Sequence, residues 1–326
     1  MRIVYMGTPD FAVPTLRALV SQGHEVVGVF TQPDRPAGRG KRLRPSPVKV
    51  AAEEMGLEIY QPEKIKTPEN LDLLKELAPE VIIVVAYGQI LSEEILNLPP
   101  YGCINVHASL LPDWRGAAPI HWSIISGDKV TGVTTMQMDE GLDTGDILLK
   151  AEYPLGENTT TGEAHDALAE LGAELMIKTL DELHKGEITP IPQEGETRYA
   201  SLLKREDEKI FWEQEAKDIH NRIRGLNPWP GAYTIFRGEN LKIRKSSLQG
   251  AMEAERKLLD QGEKTSKPGE IISCDQIGLW VQTGKGLILI EEVQPAGKKA
   301  MGAWDFYLGR RIQLGEGFGE GWTKDE

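Results

Sequence analysis

Cysteine is nearly absent. The 326 residues hold two, Cys103 and Cys274, far apart and in no C-x-x-C pattern. That excludes a disulfide framework and leaves a cysteine-based zinc site a poor fit. Long hydrophobic runs are missing too. The longest, VIIVVAY at 81–87, is far short of the roughly 20 residues a membrane span needs. The opening MRIVYMGTPDF shows no basic region, apolar stretch and cleavage site in succession, so no secretory signal is expected. Net positive charge is also lacking: 37 Lys and Arg stand against 50 Asp and Glu, a formal charge of −13. On average such a surface repels phosphate. Several chemical signatures do not occur. There is no P-loop and no G-x-G-x-x-G; Pro9 and Asp10 stand where a dinucleotide loop needs glycines. The six histidines form no H-E-x-x-H, and no G-x-S-x-G elbow is present. The expectation is a soluble cytoplasmic protein with no metal site and no membrane partner.

What is present reads as globular. Hydrophobic residues make up 40% and charged residues 27%, which is ordinary for a folded chain, and the length suggests two domains. The first 150 residues alternate short apolar runs with helical patterns. RIVYM (2–6), EVVGVFT (25–31), VIIVVAY (81–87), CINVHA (103–108) and VTGVTTMQM (130–138) read as strands. Helices are expected over 47–55 and 68–78. Between them, 33–47 holds four prolines and two glycines, which argues against a regular element. Alternating strands and helices imply an α/β fold with a mostly parallel sheet. Its ligand crevice lies beyond the strands' carboxyl ends. Gly7–Asp10, Tyr87–Ile90 and Asn105–Pro112 each follow a strand there.

Residues 160–185 read as a long helix, and 186–206 are rich in Pro, Glu and Thr, which suits an interdomain linker. Five short strand-like runs follow at 232–236, 241–247, 269–274, 278–283 and 286–293. They suggest a small OB-like β-barrel, closed by a helix at 300–311. The expected division is 1–188, a linker at 189–206, a second domain at 207–312 and a frayed Gly/Glu-rich tail at 313–326.

Three clusters could carry chemistry. In the first, Asn105 and His107 share one face of a strand, because residues i and i+2 point the same way. A carboxamide can donate to an oxyanion, and an imidazole beside it can move a proton. The second, MDEGLDTGD at 138–146, offers Asp139, Glu140, Asp143 and Asp146. A carboxylate near His107 would orient the ring and stabilise its cation; spacing alone does not choose among the four. The third is a basic loop. Residues 1–200 carry 17 Lys and Arg against 30 Asp and Glu, while residues 201–326 carry 20 of each. Within that acidic first part, Arg35, Arg39, Lys41, Arg42, Arg44 and Lys49 crowd one stretch opposed only by Asp34. Arginines so concentrated suit phosphates.

GTPDFAVP (7–14), TQPDRPAGRGKRLRPSPVK (31–49), VVAYG (84–88), NVHASLLPDWRGAAPI (105–120), MQMDEGLDTGD (136–146), LNPWPGAY (226–233) and QPAGKKAM (294–301) together resemble the methionyl-tRNA formyltransferase family. The resemblance covers about residues 1–312. It implies a Rossmann-like formyltransferase domain followed by an OB-like domain, and transfer of a formyl group from 10-formyltetrahydrofolate to the α-amine of initiator methionyl-tRNA. It carries the family's catalytic set onto Asn105, His107 and Asp143. Folate contacts fall on Ser109, Leu110, Leu111 and Pro112, with Tyr87, Gly88, Gln89 and Ile90. The acceptor-arm contacts fall on Arg35, Arg39, Lys41, Arg42 and Arg44, Arg39 being central. A monomer is expected. A formyltransferase acting on an amino sugar nucleotide would share the donor and the catalytic set; the arginine loop favours tRNA. A noncatalytic RNA-binding protein and a nicotinamide-dependent oxidoreductase fit less well.

Overall fold

β-Branched and aromatic residues crowd RIVYM, and every residue of β1 (Arg2–Gly7) after Arg2 is buried. An apolar run without alternation is what a strand covered on both faces requires. The computed structural model describes residues 1–37, 42–254 and 266–322. Six more strands join β1: β2 (Glu25–Phe30), β3 (Ile59–Tyr60), β4 (Val81–Val85), β5 (Cys103–His107), β6 (Val130–Gln137) and β7 (Ile147–Pro154). The sheet order is β7-β6-β5-β4-β1-β2-β3. The five strands from β5 to β3 run parallel, and β6 and β7 complete the sheet antiparallel. Direction along the sheet reverses at β1, which has β2 on one side and β4 on the other. The loops after β1, β4 and β5 therefore gather where parallel sheets bind ligands.

Helices start where the sequence lets them. Pro47 and Pro68 open Pro47–Glu54 and Pro68–Leu77, since proline's missing N–H costs nothing in a first turn. The Ser46 hydroxyl caps the first of these by accepting from the Lys49 amide at 3.0 Å. In the long helix Thr161–Lys185, Ala164, Leu168, Leu175, Met176 and Leu180 are buried. Gly172 lets this helix approach the sheet: a Cβ there would lie 2.8 Å from Val106 of β5.

Two local expectations are corrected, and one strand is added. Residues 35–37 and 42–44 form a two-stranded antiparallel ribbon, Arg35 pairing with Arg44 and Ala37 with Arg42, where the prolines argued for no regular element. Both strands of an isolated ribbon are edges, and an edge tolerates a proline without its N–H. Strand β7 leaves no continuous apolar run in the sequence because Lys150, Glu152 and Pro154 interrupt its apolar residues, as a strand at a sheet's edge permits. Nor does the tail fray over its described residues. The Phe318 amide donates to the Gly269 carbonyl at 2.8 Å, Ile271 to Glu316 at 2.8 Å, and Arg237 pairs with Glu316 at 2.6 Å. Phe318 is fully buried against Trp212 and Phe236; one apolar anchor fixes a segment that composition alone marks as loose.

Contacts divide the chain into two units: 1–119 with 130–154 and 165–201, and 120–129 with 155–164 and 202–326. The second unit holds β8 (Tyr233–Phe236), β9 (Glu239–Ser247), β10 (Ile271–Cys274), β11 (Leu279–Gln282) and β12 (Leu287–Pro295) in the order β8-β9-β12-β11-β10, all neighbours antiparallel. This is an OB-like half-barrel. Its core joins Leu241, Ile243, Val281 and Ile288 to Phe306 of the closing helix Ala303–Arg310.

His220, on the helix Ala216–Gly225, is buried in this second unit. Its Nε2 donates to the Glu157 carbonyl at 3.1 Å, and its Nδ1 lies 2.9 Å from the Ser246 hydroxyl. Since a carbonyl can only accept, the neutral ring satisfies both partners when Ser246 donates to Nδ1. Burial accordingly pushes its pKa below the ordinary 6.5. A histidine held neutral contributes stability above its unfolded pKa and loses that contribution as pH falls through the folded value. The urea stability difference between the native chain and His220→Gln should therefore shrink from about pH 7.5 to about pH 5. A constant or growing difference would contradict this placement.

Candidate active site

His107 closes β5 and is only 6% exposed. Its Nε2 lies 3.0 Å from the Trp114 carbonyl oxygen. Because that oxygen can only accept, Nε2 carries the proton, and the neutral ring keeps its lone pair on Nδ1. Nδ1 faces the Asp143 carboxylate, with Oδ2 at 3.7 Å. That is too long for a hydrogen bond but close enough for an ion pair once the ring is protonated. Asn105, two residues earlier on the same face, is partly exposed, and its carboxamide has no hydrogen-bond partner among the described residues. The structure thus brings Asn105, His107 and Asp143 together, with one donor uncommitted.

The acidic loop 138–146 sorts its carboxylates by job. The Gln137 amide donates to the Asp146 carbonyl at 2.8 Å and closes the loop's base. Asp139, although exposed, bonds within its own loop, accepting from the Gly141 amide at 3.0 Å and the Thr144 hydroxyl at 2.7 Å. Asp143 is the member placed beside His107. It has a φ of 55°, in the left-handed region that aspartate tolerates better than most residues. Its Oδ2 also accepts from the Gly116 amide at 2.8 Å.

The segment after β5 is tied down from below. The Thr134 hydroxyl donates to the Ser109 carbonyl at 2.7 Å and accepts from the Leu111 amide at 3.1 Å. The Ser109 hydroxyl donates to the Asp113 carbonyl at 2.6 Å, and Lys150 donates to the Leu111 carbonyl. Leu111 is fully buried, while Leu110 and Pro112 are half-buried. In the loop after β4, Gly88 has a φ of 84° and Ile90 is exposed. Gln89 is spent on structure: its Oε1 accepts from the Ile65 amide at 2.8 Å and its Nε2 donates to the Pro62 carbonyl at 3.0 Å. Tyr87 is buried, its hydroxyl without a hydrogen-bond partner among the described residues and its pKa raised by that burial. The Cys103 thiol, buried in the core, is pushed up to about 12, which leaves it no nucleophilic role.

The basic ribbon is only partly described. Arg35 and Arg44 are exposed, Arg35 donating to Gln32 at 3.1 Å. Arg42 is placed by its backbone alone, and Arg39 and Lys41 lie outside the described residues. Lys49 belongs to the base of the ribbon. Its Nζ pairs with Asp34 at 2.9 Å, and Gln61 donates to the same carboxylate at 2.7 Å. These two donors, Gln61 first, hold the Asp34 carboxyl below its usual range.

Residues 191–200 supply what motif reading missed. Ile191 pairs with Ile147, and Tyr199–Ala200 pair in parallel with Arg115–Gly116. The Trp114 amide donates to the Arg198 carbonyl at 2.7 Å, and the Arg198 guanidinium lies 4.2 Å over the Trp114 ring while bonding Asp113 at 2.8 Å. That last contact lowers the Asp113 pKa. Gly116, at φ 121°, permits the crossing: a Cβ would stand 2.5 Å from the Ala200 carbonyl oxygen. These residues had no motif signal, because Pro, Glu and Thr dominate the composition around them. Among the described residues, no group of three or more His, Cys, Asp or Glu is arranged to hold a metal, and no helix is long and apolar enough to cross a membrane.

Residues 1–180 match the family model described as formyl transferase, and 202–311 match formyl transferase, C-terminal domain. The chain is 51% identical over 320 residues to a methionyl-tRNA formyltransferase of Pelotomaculum thermopropionicum, covering 98% of this chain and 99% of that protein. It is 53% identical over 300 residues to one from Clostridium botulinum, covering 91% and 93%. Among solved structures, an N-formyltransferase from Helicobacter canadensis in complex with folinic acid and dTDP-3-aminofucose superposes with a TM-score of 0.63 at 18% identity, covering 90% of this chain and 98% of that one. HypX from Aquifex aeolicus with tetrahydrofolic acid gives 0.60 at 17%, covering 94% and 47%. These two share the fold. The agreement over nearly the full length of both relatives, at about half of all positions, shows that the chain belongs to the methionyl-tRNA formyltransferase family.

Proposed function

We propose that the chain transfers the formyl group of 10-formyltetrahydrofolate to the α-amine of initiator methionyl-tRNA, acting as a monomer in the cytoplasm. The observation that carries the chemistry is the uncommitted Asn105 carboxamide beside a histidine whose Nδ1 faces Asp143 at 3.7 Å. The acceptor is argued from the near-full-length identity to proteins named for methionyl-tRNA.

A free α-amine has a pKa of about 7.7–8.0, so a useful neutral fraction exists near pH 7. Its nitrogen attacks the formyl carbon, and the carbonyl oxygen becomes an oxyanion. Asn105 donates to that oxygen. The amine loses a proton as the C–N bond forms; Nδ1 of His107 holds the ring's only lone pair, and a proton arriving there gives an imidazolium paired with Asp143. The same proton is available to N10 of the folate as its bond to the formyl carbon breaks. The loops 87–90 and 109–112 would seat the folate, and Arg35, Arg39, Lys41, Arg42 and Arg44 would hold the acceptor arm.

Labelled formyl transfer from 10-formyltetrahydrofolate to charged initiator methionyl-tRNA tests this, with elongator tRNA and an amino sugar nucleotide as competing acceptors. Product on the sugar and none on the tRNA would reject the reading.

Losing one oxyanion donor costs about 10²–10³ in rate. Asn105→Ala should lose that much in kcat with tRNA affinity unchanged; an equal loss of affinity would count against its role. For the ribbon, neutralising Arg39, Arg42 and Arg44 should raise KM for tRNA and flatten its salt dependence by roughly 0.7–0.9 per lost phosphate contact. An unchanged slope would remove the ribbon from the tRNA surface.

A further inference from the structure

Gln193 occupies a position that composition assigns to a spacer, yet its amide is fully committed inside the site. Nε2 donates to the backbone carbonyls of Asp143 at 2.9 Å and Gly145 at 2.7 Å. Oε1 accepts from Nε and an Nη of Arg115 at 2.9 and 2.8 Å. Arg115 adjoins Gly116, whose amide donates to the Asp143 carboxylate at 2.8 Å. The backbone and the carboxylate of Asp143 are therefore tied to one small frame: Gln193 on one side, the Arg115–Gly116 pair on the other. Asp143 needs such a frame. Its φ of 55° is sparsely populated for a residue with a side chain, and its distance to Nδ1 of His107 depends on how the loop's backbone is held.

We propose that Gln193, braced by Arg115, is a positioning residue for Asp143 and so for the proton transfer at His107. This rests on the reading of Asp143 as part of the reaction. Without the two Gln193 donors, the 143–145 carbonyls turn to solvent and the carboxylate leaves its place opposite Nδ1. A misplacement of about 1 Å can cost on the order of 100-fold in rate.

The test is a double-mutant cycle in the formylation assay, joining Gln193→Ala and Asp143→Asn. Gln193→Ala should lower kcat about 10–100-fold with KM for methionyl-tRNA unchanged. In the Asp143→Asn background the same change should cost almost nothing more, because both act through one group. Gln193→Glu, which keeps an acceptor for Arg115 but loses the donor, should behave like Gln193→Ala, and it decides the matter should the alanine variant fail to fold. Multiplying losses, or a loss carried in KM, would overturn the proposal. The nitrogen-15 amide signal of Gly116 gives a readout free of activity: it should move in Gln193→Glu, and an unmoved signal would overturn the proposal. Absence of formylation by the native chain would count instead against the functional reading.

Discussion

The carbonyl of Trp114 decides which nitrogen of His107 bears the proton, and much of the surrounding chain serves to keep that carbonyl in place. At 3.0 Å from Nε2, it forces the neutral ring to expose Nδ1 as its base. Trp114 itself has a φ of 61°, a conformation that costs a bulky residue about 1–3 kcal/mol. It is held by the hydrogen bond its N–H donates to the Arg198 carbonyl and by the guanidinium packed on its ring. A hydrogen bond contributes about 0.5–1.5 kcal/mol net and a cation on an aromatic face about 0.5–2. Together these are enough to offset the strain. The tautomer of His107 thus depends on a segment around Arg198, some 90 residues further along the chain.

Left-handed residues gather around this site. Ala86, Trp114 and Asp143 all have φ near 50–60°, and each sits in a different loop that meets the candidate crevice. Backbone held in such regions persists where surroundings over-determine it. For Trp114 and Asp143 the surroundings are Gln193, Arg198 and the paired segments 115–116 and 199–200. The rigid sheet places β5; these latches place the loops.

How much of this was legible follows from what kind of signal each part leaves. Strands β1, β4 and β5 are uninterrupted apolar runs because both faces are covered, so they stand out. Asn105 and His107 share a face by period alone. Asp143 did not separate from Asp139 and Asp146 on spacing; the loop's internal bonds to Asp139 distinguish them only in three dimensions. Gln193 and Arg198 were illegible, because each acts through contacts about 50 and 85 residues distant. Phe318 was lost for a related reason: one anchor among glycines changes no composition average, yet it seats the tail.

The charge of −13 has the same character as those averages. At physiological ionic strength a charge is screened over about 8 Å. Three strand residues span roughly 10 Å, so the field along the ribbon 35–37 and 42–44 is set by the cations it carries rather than by distant acids. The structure also trims that set. Lys49, counted by the sequence among the loop's cations, is committed to Asp34 and backed by Gln61. This pair neutralises Asp34, so that carboxylate does not offset the exposed Arg35 and Arg44. Charges felt at a surface are those within about a screening length, so a mean of −13 does not by itself describe the face that bears Arg35 and Arg44.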